Sequence, residues 1–131
     1  MRRQAIVQAE ARRSERIGLL DRFLTAAQAA ERVAIDHHHG NVDGTEWEVR
    51  ASAAMDRVWI EQKMLDLVSA RAVRDAVFQF ALALDHVVWE GPGEQKVWQY
   101  LNGTRGAVLD AAKEDLVEVS PRLASVGPRH S

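Results

Sequence analysis

The sequence predicts an all-α protein, an antiparallel bundle of four helices whose first helix is much the longest. Alanine is abundant and β-branched runs are scarce, so helix propensity is high along nearly the whole chain. Apolar residues recur at spacings of three and four, and glycine-rich turns separate the helical segments. A chain of 131 residues suits one domain. We expect the bundle to occupy residues 1–120 and residues 121–131 to form a loose tail.

The most apolar segment, Val73–Trp89, is predicted to be the central helix. Its apolar positions follow a helical period, and a second row widens the stripe. A helix that is apolar over so much of its circumference must be covered on more than one side. Charged residues interrupt it, whereas a membrane span needs about 20 mostly apolar residues. We therefore predict a helix that neighbouring helices cover, with Phe78 and Phe80 in the core.

The first helix is predicted to run from about Arg2 to about His38, where Gly40 suits the position after a helix end. Its 37 residues would span about 55 Å, against roughly 30–40 Å for each of the others. Its clear apolar face begins only at Ile17. We therefore expect the N-terminal part to overhang the bundle by several turns.

The second helix is predicted to run from Glu46 to about Val68, with Thr45 as its cap and Glu48 completing a capping box. At Ser69 two interpretations remain. Ser69 caps a new helix beginning at Ala70, which gives four helices, or the second and third helices form one rod, which gives three long helices. The break is favoured, because rods of about 45 residues without heptads are uncommon.

The third helix is predicted to end at Glu90, before the turn 91–93, and the fourth to run from Glu94 to about Val119. Gly103 and Gly106 weaken the middle of the fourth helix or allow a close approach of another helix. Its predicted buried face is Val97, Trp98, Leu101, Val108, Ala112, Leu116 and Val119. The chain reversals place the tryptophans 47, 89 and 98 at different ends, so one aromatic cluster is not expected.

Charge is concentrated at the start of the chain. Residues 2–16 carry five arginines and two glutamates, which gives this segment a charge of +3. Because the whole chain has a net charge of −2, the other residues together carry −5. Such a segment suits a protein partner, self-association as a homodimer, or an anionic membrane surface. The lack of interleaved aromatic residues argues against nucleic acid. The candidate contact residues are Arg2, Arg3, Ile6, Arg12, Arg13 and Arg16.

Few residues suggest catalytic or metal-binding chemistry. His37, His38 and His39, with Asp43, are weak candidate metal ligands. Consecutive helical residues point about 100° apart, so three adjacent histidines cannot reach one ion. Glu-x-x-His, Gly-x-Ser-x-Gly, phosphate-loop and dinucleotide motifs do not occur, and there is no cysteine. We therefore predict a protein that is not an enzyme, with no catalytic residue and no cofactor.

The order of these features resembles a group of small, uncharacterised Ala- and Arg-rich helical proteins of actinobacteria, often with a single N-terminal membrane anchor. The matching pieces are Arg2-Arg3, residues 10–13, Arg22-Phe23-Leu24, residues 67–69, residues 72–74 and residues 111–116. Residues 1–131 contain no counterpart of the anchor. The resemblance implies no known activity.

Together, these features predict a non-enzymatic helical protein–protein interaction or scaffold module. It would be cytoplasmic, or the cytosolic part of a membrane-associated protein at the inner face of the membrane. The alternative is a helical bundle that binds a small molecule or a metal.

Overall fold

The computed structural model describes residues 2–40 and 43–119, with side chains described for residues 4–40 and 43–115. These residues form four helices and no strand: α1 Arg2–His38, α2 Gly44–Asp66, α3 Arg71–Glu90 and α4 Val97–Val119. The pairs α1–α2 and α3–α4 pack most extensively, and α1 contacts α4 least among the packed pairs. The predicted all-α class and helical bundle are confirmed. The predicted tail, residues 121–131, lies outside the described part.

The core lies where the apolar faces of the four helices meet. On α1, small alanines line much of the buried face, which lets neighbouring helices lie close to it. Phe23 of α1 meets Phe80 of α3 edge to face, with ring centroids 6.0 Å apart and planes at 70°. The largest fully buried side chains are Phe23, Phe80, Leu65, Leu84, Leu101, Val58, Val77, Val87, Val88 and Val108.

Several residues predicted to be buried are exposed. Phe78 is 44% exposed and Trp98 is 52% exposed, so both predictions were wrong. Ile17, where the predicted apolar face of α1 begins, is exposed as well. Each lies on the outer part of an apolar stripe that is wider than the surface its neighbours cover. The predicted burial of Leu116 and Val119 falls outside the described side chains.

The chain breaks between α2 and α3, which confirms the four-helix interpretation. The predicted cap is wrong, however. The Ser69 hydroxyl donates to the Leu65 carbonyl oxygen at 2.7 Å, so Ser69 closes the end of α2. Ala70 is the N-cap of α3 and makes no side-chain capping bond.

The starts of α2 and α4 also differ from the prediction. α2 begins at Gly44, and its N-cap is Asp43 in place of Thr45: Asp43 Oδ1 accepts the backbone N–H groups of Thr45 and Glu46, each at 3.0 Å. α4 begins at Val97, three residues after the predicted start, because residues 94–96 still belong to the turn.

The glycines inside α4 do not mark a close helix approach. A Cβ atom built on Gly103 or Gly106 meets nothing within 4 Å among the described residues. That alternative was therefore wrong, and these two glycines lower helix propensity without a packing gain.

Candidate interaction surfaces at the two ends of the bundle

The first candidate surface is the part of α1 that extends past the other helices, named here the N-terminal arm (residues 2–12). Eleven helical residues rise about 16 Å. Every described side chain of the arm, from residue 4 to residue 12, is exposed. Ile6 is 53% and Val7 61% exposed, although both are large and apolar. The predicted overhang is therefore present in the structure.

The arginines of this basic segment divide into two groups. Arg12 is exposed on the arm. Arg16 is partly buried, and its Nε lies 3.9 Å from Asp115 Oδ2 of α4. Arg13 is also partly buried. The expectation that the whole segment lacks contacts with its own chain was wrong, because the bundle already begins at Arg13.

Two of the predicted contact residues, Arg2 and Arg3, belong to α1, but their side chains lie outside the described set. Of the six predicted contact residues, Ile6 and Arg12 are therefore the ones with described, exposed side chains on the arm. Val7 joins them as an exposed apolar neighbour. The arm thus presents apolar and cationic groups, and every one of its described side chains is exposed.

Partly buried ionic contacts hold the arm-bearing helix against its neighbours, and they were not predicted from the sequence. Glu61 of α2 is buried; its Oε2 lies 3.3 Å from Arg22 Nε of α1 and 3.7 Å from Arg57 Nη1. Similar pairs join Arg50 to Asp36 at 2.9 Å and Arg105 to Glu31 at 2.8 Å. The position of Glu61 between the apolar residues 58 and 65 was the available signal.

The second candidate surface lies at the opposite end, where tryptophan and histidine rings meet. The His37 ring stacks on Trp47, with centroids 3.9 Å apart and planes at 20°. Trp89 meets Trp47 edge on at 5.3 Å, and its Nε1 donates to Asp85 Oδ1 at 3.1 Å. The predicted separation of Trp47 from Trp89 was wrong. In an antiparallel bundle the start of α2 and the end of α3 lie at the same end.

The three adjacent histidines do not meet at one point: His38 and His39 have ring centroids 6.0 Å apart, and His37 lies against another helix. His37 faces Trp47 of α2, whereas His38 and His39 line a pocket with Trp98 of α4. The fourth candidate ligand, Asp43, caps α2. Among the described residues, no group of three or more His, Cys, Asp or Glu side chains lies close enough to hold a metal ion.

Within the described residues, no helix is both long enough and apolar enough to cross a membrane. Comparisons with protein families, curated proteins and solved structures find no match for this chain.

Proposed function

We propose that this protein is a non-enzymatic helical interaction module that contacts a protein partner through its N-terminal arm. The observation that carries the proposal is the exposure of Ile6 and Val7 on a helix of 37 residues, where the other helices have 20 to 23. Burying such side chains against a partner is worth about 1.5–3 kcal/mol for each one fully covered.

The charge of the arm supports the same proposal. Arg12 is exposed beside the apolar positions, and the sequence adds Arg2 and Arg3. Arginine is enriched in protein interfaces, where its planar group pairs with carboxylates. A partner with an apolar groove bordered by acidic residues would match the arm. A second copy of this chain is one partner of the proposed class.

The arm is suited to this role because none of its described residues belongs to the buried core. Its described side chains are exposed, and the contacts of α1 with the bundle begin at Arg13 and Arg16. Loss of residues 1–12 should therefore change partner binding without changing the core. This separation of binding from folding makes the proposal testable.

The test compares the full chain with a chain that lacks residues 1–12. Thermal unfolding followed by circular dichroism should give nearly the same midpoint for both. Light scattering of the purified chains, and chemical cross-linking in source cells followed by mass spectrometry, should show a defined complex for the full chain only. Ile6→Ser with Val7→Ser should weaken the complex while the charge is kept.

Val49→Ser provides the matched control, because Val49 is 67% exposed on α2, away from the arm. This variant should keep the complex. If the shortened chain forms the same complex as the full chain, the proposal is refuted. Binding of the arm to anionic vesicles, with no protein complex in either measurement, would also contradict it.

A further inference from the structure

A pocket of about 490 Å³ lies between the end of α1 and the start of α4. It is named here the Trp98 pocket. Its volume is within the range of about 300–1,000 Å³ that small-molecule sites occupy. The residues that line it are Ile35, His38, His39, Lys96, Val97 and Trp98.

Each polar side chain of this pocket offers a hydrogen-bond donor. Lys96 carries an ammonium group, and His38 and His39 carry imidazoles, each with at least one N–H group. Among the described residues, no carboxylate lines the pocket. An anion would therefore find hydrogen-bond donors there without like-charge repulsion from a lining side chain.

The apolar part of the pocket is the Trp98 indole together with Ile35 and Val97. Trp98 is 52% exposed, whereas its neighbours Val97 and Leu101 are buried in the core. Tryptophan is usually highly buried, and a flat ring of a ligand would cover its exposed face by stacking. The position of Trp98 is set by the start of α4, where the Lys96 N–H donates to Gln99 Oε1 at 3.0 Å.

Two carbonyl groups at the negative end of α1 accept hydrogen bonds from the chain itself. Carbonyl groups at a helix C-terminus carry partial negative charge and would repel an anion if they were free. Here the Ile35 carbonyl oxygen accepts the His39 N–H and the His37 carbonyl oxygen accepts the Gly40 N–H, both at 3.0 Å. These two carbonyl oxygens at the end of α1 are therefore already hydrogen-bonded to the backbone of the same chain.

We infer that the Trp98 pocket binds a small aromatic carboxylate. The carboxylate would accept hydrogen bonds from Lys96 and from the imidazoles of His38 and His39, and the ring would stack on Trp98. Neither interaction suffices alone, because a surface ammonium group binds simple anions weakly and the negative face of an indole does not attract a carboxylate. This site is distinct from the N-terminal arm and goes beyond the proposed interaction function.

The test measures binding of 1-naphthoate to the full chain by isothermal titration calorimetry. Two comparison ligands separate the parts of the site: 1-naphthalenemethanol keeps the ring without the charge, and acetate keeps the charge without the ring. We expect saturable binding of 1-naphthoate and at least about tenfold weaker binding of both others. Lys96→Gln and Trp98→Leu should each weaken 1-naphthoate binding by about tenfold or more.

Two variants serve as controls. Lys113→Gln removes another exposed lysine of α4, and Trp89→Leu removes another partly exposed tryptophan at this end. Both should keep the affinity for 1-naphthoate. The inference is overturned if 1-naphthoate shows no saturable binding, if the neutral alcohol binds equally well, or if Lys96→Gln leaves the affinity unchanged. Lys96 is exposed, so that variant remains decisive even if Trp98→Leu unfolds.

Discussion

Phe78 and Phe80 lie two residues apart on α3 but point about 200° apart, so they face different surroundings. Phe80 is 1% exposed, meets the Phe23 ring at 6.0 Å and lies 5.7 Å from the guanidinium carbon of Arg105. Phe78 is 44% exposed and contacts Trp59 at the surface. We expect Phe80→Ala to lower the free energy of unfolding by about 4 kcal/mol, because truncation leaves a cavity. Phe78→Ala should cost only about 1 kcal/mol.

Urea denaturation followed by far-ultraviolet circular dichroism measures both changes. A chain of this length has a total stability of roughly 7–20 kcal/mol, so Phe80→Ala should still fold. A double-mutant cycle of Phe23→Leu with Phe80→Leu isolates the ring contact, which we expect to contribute about 0.5–1.5 kcal/mol. Equal losses for Phe78→Ala and Phe80→Ala would refute the assignment of α3's inner and outer faces.

The remaining predictions concern helix ends and helix interiors, and urea denaturation checks each of them. Asp43→Ala should lower the free energy of unfolding by about 1 kcal/mol, because Asp43 caps α2. Thr45→Ala should change it by less than about 0.5 kcal/mol. A larger loss for Thr45→Ala than for Asp43→Ala would indicate that Thr45 is the cap. Gly103→Ala should raise stability by about 1 kcal/mol, since a Cβ there meets nothing within 4 Å among the described residues. Gly91→Ala should lower it by about 1 kcal/mol because φ is +86°, and a gain at Gly91 would contradict this explanation.

The helices themselves could be predicted because their periodicity and their breakers agree. α1 ends at His38 and α3 at Glu90, as predicted, and α4 is helical up to Val119, the last residue that the structure describes. The starts of α2 and α4 were predicted less well than the helix ends. Thr45 with Glu48 fits a capping box, yet Asp43 lies two residues earlier and can cap as well. Which side chain accepts the free N–H groups depends on the path of the preceding loop, and a sequence pattern does not contain that path.

Burial was predicted less well than helix position. A stripe that is apolar over much of a helix does not indicate which part a neighbouring helix covers. Phe80 and Phe78 belong to the same wide stripe, and only the placement of α1 and α2 separates the buried ring from the exposed one. Glu61 is an error in the other direction, because it is buried although it is charged. A carboxylate is rarely buried unless cations accompany it. Arg22, 39 residues earlier in the chain, supplies one of them.

The predicted contact residues were partly separated by the fold. The basic segment was identified from composition alone, and composition cannot distinguish Arg12 on the arm from Arg16, which pairs with Asp115 about 100 residues later in the chain. The Trp98 pocket was also not predicted. Its two sides come from α1 and α4, and Trp98 had been assigned to the buried face of the fourth helix, whereas it is exposed.

The arm gains its helical form from the bundle behind it. An isolated helix of 11 residues is marginal in water, because nucleation is costly. Here α1 is already held through Phe23 in the core and through Arg22 beside Glu61, so the arm only extends a formed helix. A preformed helix loses less conformational entropy on binding than a segment that must fold against its partner. The ionic contacts between α1 and α2 thereby support binding at the arm, although none of their residues lies in it.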